Sequence, residues 1–298
     1  FTLPGMIDEP ACRGGSRMSP KPACGPDDSS RRSWQVLDSL QATRLSTPDT
    51  WTKAPASCVA STRWAALTTG TPLIRAANLG MMLGLHNLYI KDERQGPTSS
   101  FKDRQAAVCI AALKEAGIHE LVVCSTGNVA IAFSAYSARA GIKLWAFLTS
   151  LVPAEKMRET AVYGAQVIKV TASYDKAKEV AAEFARQRGL YQERGARSIP
   201  SVEAMKTIAY EIAEQFGMLH SKPSSTRWAA PDWYFQSVSG GLGPLGVQKG
   251  FNELFKMGLI QRMPAIACIQ AEGCAPMAHA FHAGLDRATP IASPRTHI

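Results

Sequence analysis

The sequence predicts an α/β protein of two domains with mostly parallel sheets, and three observations predict it. From Thr71 onward, short β-branched or apolar runs alternate with longer amphipathic stretches, the alternation that βαβ units produce. The 298 residues, 46% of them hydrophobic, suffice for a large core and favour more than one domain. Three polar motifs fall at strand-to-helix junctions, where open α/β sheets bind ligands because strand carboxyl ends meet helix amino ends.

The predicted strands are 88–90, 121–124, 144–148, 167–170, 233–238 and 265–269, each a run of β-branched, aromatic or other apolar residues. Helices fall between them. The clearest covers Ser201 to Gln215, where Val202, Met205, Ile208, Ala209 and Ile212 recur at three- and four-residue spacing on one face. Others are expected from about Gln105 to Ala116 and up to about Met257. Residues 1–69 hold 7 of the 18 prolines and show no sustained period, so an irregular leader is expected there. The start at Phe1 rather than Met suggests a fragment or processed form, and Ser221 to Ala230 reads as a surface loop.

Composition narrows the function classes. A net charge of +9, from 33 Lys and Arg against 24 Asp and Glu, favours anionic ligands. The basic residues are scattered among acidic ones without interleaved aromatics, which argues against nucleic acid. No stretch approaches the roughly 20 apolar residues of a membrane span, and a signal-peptide layout is absent; a cytoplasmic protein with no membrane partner is expected. Seven cysteines, an odd number, argue against a disulfide framework. Cys109, Cys124 and Cys268 read as small buried hydrophobes. Cys12 and Cys24 lack a Cys-x-x-Cys pair, so no metal site is expected.

The first junction motif is Pro97-Thr98-Ser99-Ser100-Phe101-Lys102-Asp103-Arg104. A lysine at a helix amino terminus meets partial positive charge that favours its neutral, nucleophilic amine. An exposed helix-start lysine paired with Asp103 is the alternative. The second is Ser125-Thr126-Gly127-Asn128, small donors at a helix start that suit a carboxylate or ring oxygen, or else an ordinary cap. The third is Ser239-Gly240-Gly241-Leu242-Gly243-Pro244, where glycines let backbone N–H groups cradle a phosphate against a helix dipole. Residues 241–246 also match the dinucleotide pattern Gly-x-Gly-x-x-Gly. Against a nicotinamide site, Glu272 comes too late for the ribose contact and Pro244 removes one N–H from the turn.

Together the three motifs resemble the fold-type II pyridoxal-phosphate enzymes, and within them the threonine synthases. The resemblance covers residues 71 to the end, including 70–76 (Gly-Thr-Pro-Leu-Ile-Arg-Ala), 138–142, 202–212 and 269–277. It implies two three-layer αβα domains with pyridoxal 5'-phosphate in the cleft between them. The larger domain would combine 70–110 with 205–298, and the smaller would span 111–204. It also implies that Lys102 holds the cofactor as a Schiff base and acts as the base, that Asn128 meets the ring hydroxyl, and that Ser239, Gly240, Gly241, Leu242 and Gly243 bind its phosphate. Ser125, Thr126 and Gly127 would take the carboxylate of a small amino-acid substrate, and Lys156 and Arg158 its phosphate.

The implied reaction is conversion of O-phospho-L-homoserine and water to L-threonine and phosphate, a carbon–oxygen lyase step of threonine biosynthesis, in a possible homodimer. A serine/threonine dehydratase, a β-replacement enzyme of the same fold, and a catalytically silent cofactor-binding relative are the alternatives. Threonine synthases usually carry Gly where Ser99 stands. They continue past the position of Ile298 with elements that include a Ser or Thr facing the pyridine nitrogen.

Overall fold

The computed structural model describes residues 70–220 and 228–291. The expected leader over 1–69, with Cys12 and Cys24, and most of the Ser221 to Ala230 loop lie outside the described residues. Among the described residues, those up to Cys268 form one compact unit, and those from Ile269 onward fall in another.

Within the first unit the central sheet has four strands: β3 (Glu120–Ser125), β4 (Lys143–Thr149), β5 (Gln166–Val170) and β6 (Tyr191–Gln192). Their order is β5-β4-β3-β6 and every pairing is parallel, as the βαβ alternation predicts. The two-residue period assigns its faces. Leu121, Val123, Leu144, Ala146 and Leu148 point into one core with Ile110 and Phe133. Their neighbours Val122 and Phe147 point into the other with Ala181 and Ala185.

Helices α2 (Lys102–Glu115) and α3 (Asn128–Ala140) cover the first face, and α5 (Tyr174–Arg188) covers the second. The result is a three-layer αβα sandwich. Alanines at 177, 181 and 185, all buried, form the α5 stripe that lets the helix lie close to the strands. Ser173 caps its start, accepting from Lys176 N at 3.3 Å, and Gly189 ends it in the left-handed conformation at φ 63°. The shorter α4 (Ala154–Val162) follows β4.

The remaining strands are paired in twos. β1 (Leu73–Arg75) runs antiparallel to β2 (Tyr89–Lys91) with α1 (Ala77–Leu83) between them, and β7 (Trp233–Ser237) pairs with β8 (Ala265–Ile269). β1 and β6, of three and two residues, are too short to show a period and were not predicted.

Helices α6 (Ile199–His220) and α7 (Leu242–Lys256) pack face to face. Glycine permits their closeness: a Cβ on Gly246 would stand 2.4 Å from Met205 Cβ, and one on Gly250 would stand 2.8 Å from the Lys206 carbonyl oxygen. Across this seam the fully buried Lys206 donates to both Glu253 oxygens at 3.0 Å and pairs with Glu203. The last glycine of the dinucleotide-like pattern therefore serves helix packing.

In the second unit, α8 (Pro276–His282) is held at its start by Gln270 Oε1, which accepts from Met277 N at 2.9 Å and Ala278 N at 3.2 Å. No described helix is long and apolar enough to cross a membrane.

Candidate active site

Helices α2 and α3 both run opposite to the strand beside them, so their amino ends lie at the same edge of the sheet, the carboxyl end of β3. That topology brings Lys102, the first residue of α2, and Asn128, the first residue of α3, to one end of one layer. Helix α6 packs against α2 and also against α7, whose amino end carries the third motif.

The loop before Lys102 is closed by Asp103. This buried carboxylate accepts from Thr98 N at 2.9 Å and Thr98 Oγ1 at 2.5 Å. A Cβ on Gly96 would come within 2.4 Å of Asp103 Oδ2, so glycine is required where the loop crosses it. Ser99 adopts φ 55°, the left-handed region that costs an L-residue about 1–2 kcal/mol. A glycine at this position would meet no such cost. Ser99→Gly is expected to raise stability by roughly 0.5 kcal/mol, the relief of strain less the added backbone entropy, read as a higher urea midpoint; a lower midpoint would contradict it.

Helix α2 begins at Lys102, three residues before the predicted start. Asp103 N bonds to Ser100 O at 3.1 Å and Arg104 N to Phe101 O at 3.3 Å, so tight turns wind the loop directly into the helix.

Lys102 is half-buried, its amine 4.0 Å from the centroid of the Phe101 ring. It does not pair with Asp103, whose oxygens are held by Thr98, and among the described residues no carboxylate meets it. Burial pushes its pKa down from 10.5 to about 8, and the helix amino end acts in the same direction. Its neutral, nucleophilic form is therefore reached at lower pH than in an ordinary lysine.

Arg104, two residues on, was not expected to matter, yet it is 1% exposed and anchors the loop. It donates to Glu93 at 2.7 and 2.9 Å, to Glu211 at 2.7 and 2.8 Å, and to the hydroxyls of Thr71 and Thr207, each at 2.9 Å. Lys91 completes the cluster, donating to Glu211 at 2.7 Å and Gln215 at 2.9 Å. Two cations meet two carboxylates. Burial would raise the Glu211 pKa, but Arg104, aided by Lys91, takes it down to about 2.

At the second motif, the buried Ser125 hydroxyl accepts from Gly127 N at 3.0 Å and Ala130 N at 3.3 Å. This caps α3 and leaves the hydroxyl hydrogen as a donor. Gly127 sits at φ 145°. Asn128 is exposed, and Lys156 of α4 donates to its Oδ1 at 3.0 Å. Arg158 is not brought to this turn. Two positions on is about 200° around the helix, and its side chain is 74% exposed, 3.7 Å from Glu155.

At the third motif, Ser239 and Gly240 are exposed and Gly241 caps α7 with φ 79°. Beyond its cap, a Cβ on Gly243 would meet Gln236 Nε2 at 2.1 Å. A side chain there would have to displace the Gln236 amide, so glycine keeps the start of α7 packed against that side chain. A desolvated lysine amine, an accessible amide on a second helix start and a glycine-rich turn on a third suit an aldehyde, a ring oxygen and a phosphate. The residues present fit pyridoxal phosphate.

Comparison with known proteins agrees. A family model described as pyridoxal-phosphate dependent enzyme matches residues 65–298. Over 228 residues the chain is 33% identical to the threonine synthase of Methanocaldococcus jannaschii and 28% identical to that of Methanosarcina acetivorans, in each case 76% of this chain and 54% of the relative. The chain thus spans about half the length of these curated relatives. Among solved structures, maize serine racemase superposes with a TM-score of 0.64 at 21% identity, covering 79% of this chain and 67% of that one. A threonine deaminase isoform from Solanum lycopersicum gives 0.63 at 21% identity, covering 89% and 62%.

Proposed function

Because the chain belongs to the pyridoxal-phosphate dependent enzyme family, with a fold-type II architecture and pyridoxal 5'-phosphate as its cofactor, we propose that it converts O-phospho-L-homoserine and water to L-threonine and phosphate. The observation that carries the reading is the Lys102 amine, desolvated to a pKa of about 8 and free of carboxylates among the described residues at a helix start. The similarity to threonine synthases supports the choice of substrate.

When bound, the cofactor supplies an electron sink for charge at the substrate α-carbon. Lys102 would hold it covalently and would be the residue that moves a proton at that carbon, a task its lowered pKa suits. Backbone N–H groups of residues 239–243, at the amino end of α7, would hold its phosphate. The Asn128 amide would donate to its ring oxygen. Ser125, with a donor hydrogen left after capping α3, joins Thr126 and Gly127 in holding the substrate carboxylate. Lys156 spends one of its three N–H donors on Asn128 and offers the others to the departing phosphate. Arg158 stands on another face of α4 and contributes long-range charge at most.

Incubation of the purified chain with O-phosphohomoserine, pyridoxal phosphate being supplied, is expected to release inorganic phosphate and threonine in equal amounts. Ammonia from serine or threonine without phosphate release would instead assign the chain to the dehydratases. Cofactor binding with no turnover of any amino acid would mark a silent relative.

A further inference from the structure

We infer that Lys156 is a positioning residue that fixes the orientation of the Asn128 side chain, so that the amide hydrogens, rather than the amide oxygen, are presented to a ligand. The inference rests on the reading of Asn128 as a cofactor contact and adds the residue that decides which half of its amide faces the cofactor.

An ammonium group has donors and no acceptor, so the atom of Asn128 that Lys156 Nζ meets at 3.0 Å must be Oδ1. The amide is planar, and its NH2 group then points away from Lys156. Asn128 is otherwise exposed, and a free carboxamide turns over between two nearly equivalent settings. One presents donors to a ring oxygen; the other presents an oxygen and repels it.

Lys156 is itself constrained. Its stem lies across Gly127, where a Cβ would stand 2.6 Å from Lys156 Cδ and 3.1 Å from Nζ. Helix α4 is seated by fully buried Thr160, whose hydroxyl donates back to the Lys156 carbonyl of the same helix at 2.8 Å, and by Met157, packed on the main core. Among the described residues no carboxylate competes for the amine, since the neighbouring Glu155 lies with Arg158. The unusual backbone of Gly127 and the lysine one strand further along are thus one device.

The test uses the purified full chain loaded with pyridoxal phosphate and no substrate, so any role of Lys156 toward a substrate phosphate does not enter. Lys156→Met is expected to weaken cofactor affinity about fivefold, the worth of one ordinary hydrogen bond. It should also shift the balance of the visible absorption bands of the bound cofactor in the same direction as Asn128→Ala, with the melting midpoint of the cofactor-free protein unchanged. Lys156→Arg, which keeps the donor, should restore both.

Lys156→Met added to Asn128→Ala should shift the bands no further than Asn128→Ala alone. Bands that move with Asn128→Ala but not with Lys156→Met, or that move additively in the double variant, would overturn the inference while leaving Asn128 in place. Bands unmoved by Asn128→Ala would remove the reading of Asn128 itself, and the inference with it.

Discussion

Lys102→Ala is expected to abolish covalent capture of pyridoxal phosphate and, with it, turnover of any amino acid. Borohydride reduction of the wild-type holoprotein followed by peptide mapping should leave the cofactor's mass on Lys102, and the variant should carry none. The neutral amine is the reactive form, so capture by cofactor-free protein should rise with pH through a midpoint of about 8, well below the 10.5 of an ordinary lysine. The sign follows from the cause: burial penalises the ammonium, so the proton leaves earlier. Cofactor mass on another lysine, or a midpoint above 10, would remove Lys102 from the centre of the site. Lys91 and Lys206 are the instructive controls, since both are buried yet hydrogen-bonded to carboxylates.

Arg104→Met is expected to destabilise the protein by about 3–5 kcal/mol, because it leaves the buried Glu211 paired with Lys91 alone and the half-buried Glu93 without its cation. For a chain of this size that is a fall on the order of 10 °C in melting midpoint. The pH dependence should change as well. In the wild type the Glu211 pKa is depressed from 4.5 to about 2, so its contribution is complete above 4.5 and is lost as pH falls toward 2. Without Arg104 that acid-side loss should shrink, and the variant should come closest to the wild type at low pH. Urea unfolding followed by circular dichroism across this range measures both effects; a deficit independent of pH would show that Arg104 acts through packing alone.

The sheet was legible because its central strands are long, apolar and buried on both faces. β3 and β4 each extend only one residue at either end beyond their predicted runs. The three junction motifs were legible as the turns that open α2, α3 and α7, because Gly, Ser and Asn mark turns and helix starts. Arg104 was not, because its partners come from three separate stretches of chain and only folding shows that they meet. One signal was present. Thr207, Glu211 and Gln215 recur every four residues as a polar stripe in α6, and a stripe of that kind on a helix with a broad apolar surface requires partners. The pairing of Asn128 with Lys156 was hidden in the same way, since 28 residues and a strand separate them.

The cluster around Arg104 also bears on how such a chain can change. Thr71 lies in the 70–76 segment, Arg104 in the 97–104 motif, and Thr207 and Glu211 in the 202–212 segment, so three stretches that read as independent motifs share a single set of hydrogen bonds. None can drift alone. A chimera that imports any one of them from a relative lacking the matching partners inherits an orphaned charge, and successful exchange requires that all three move together.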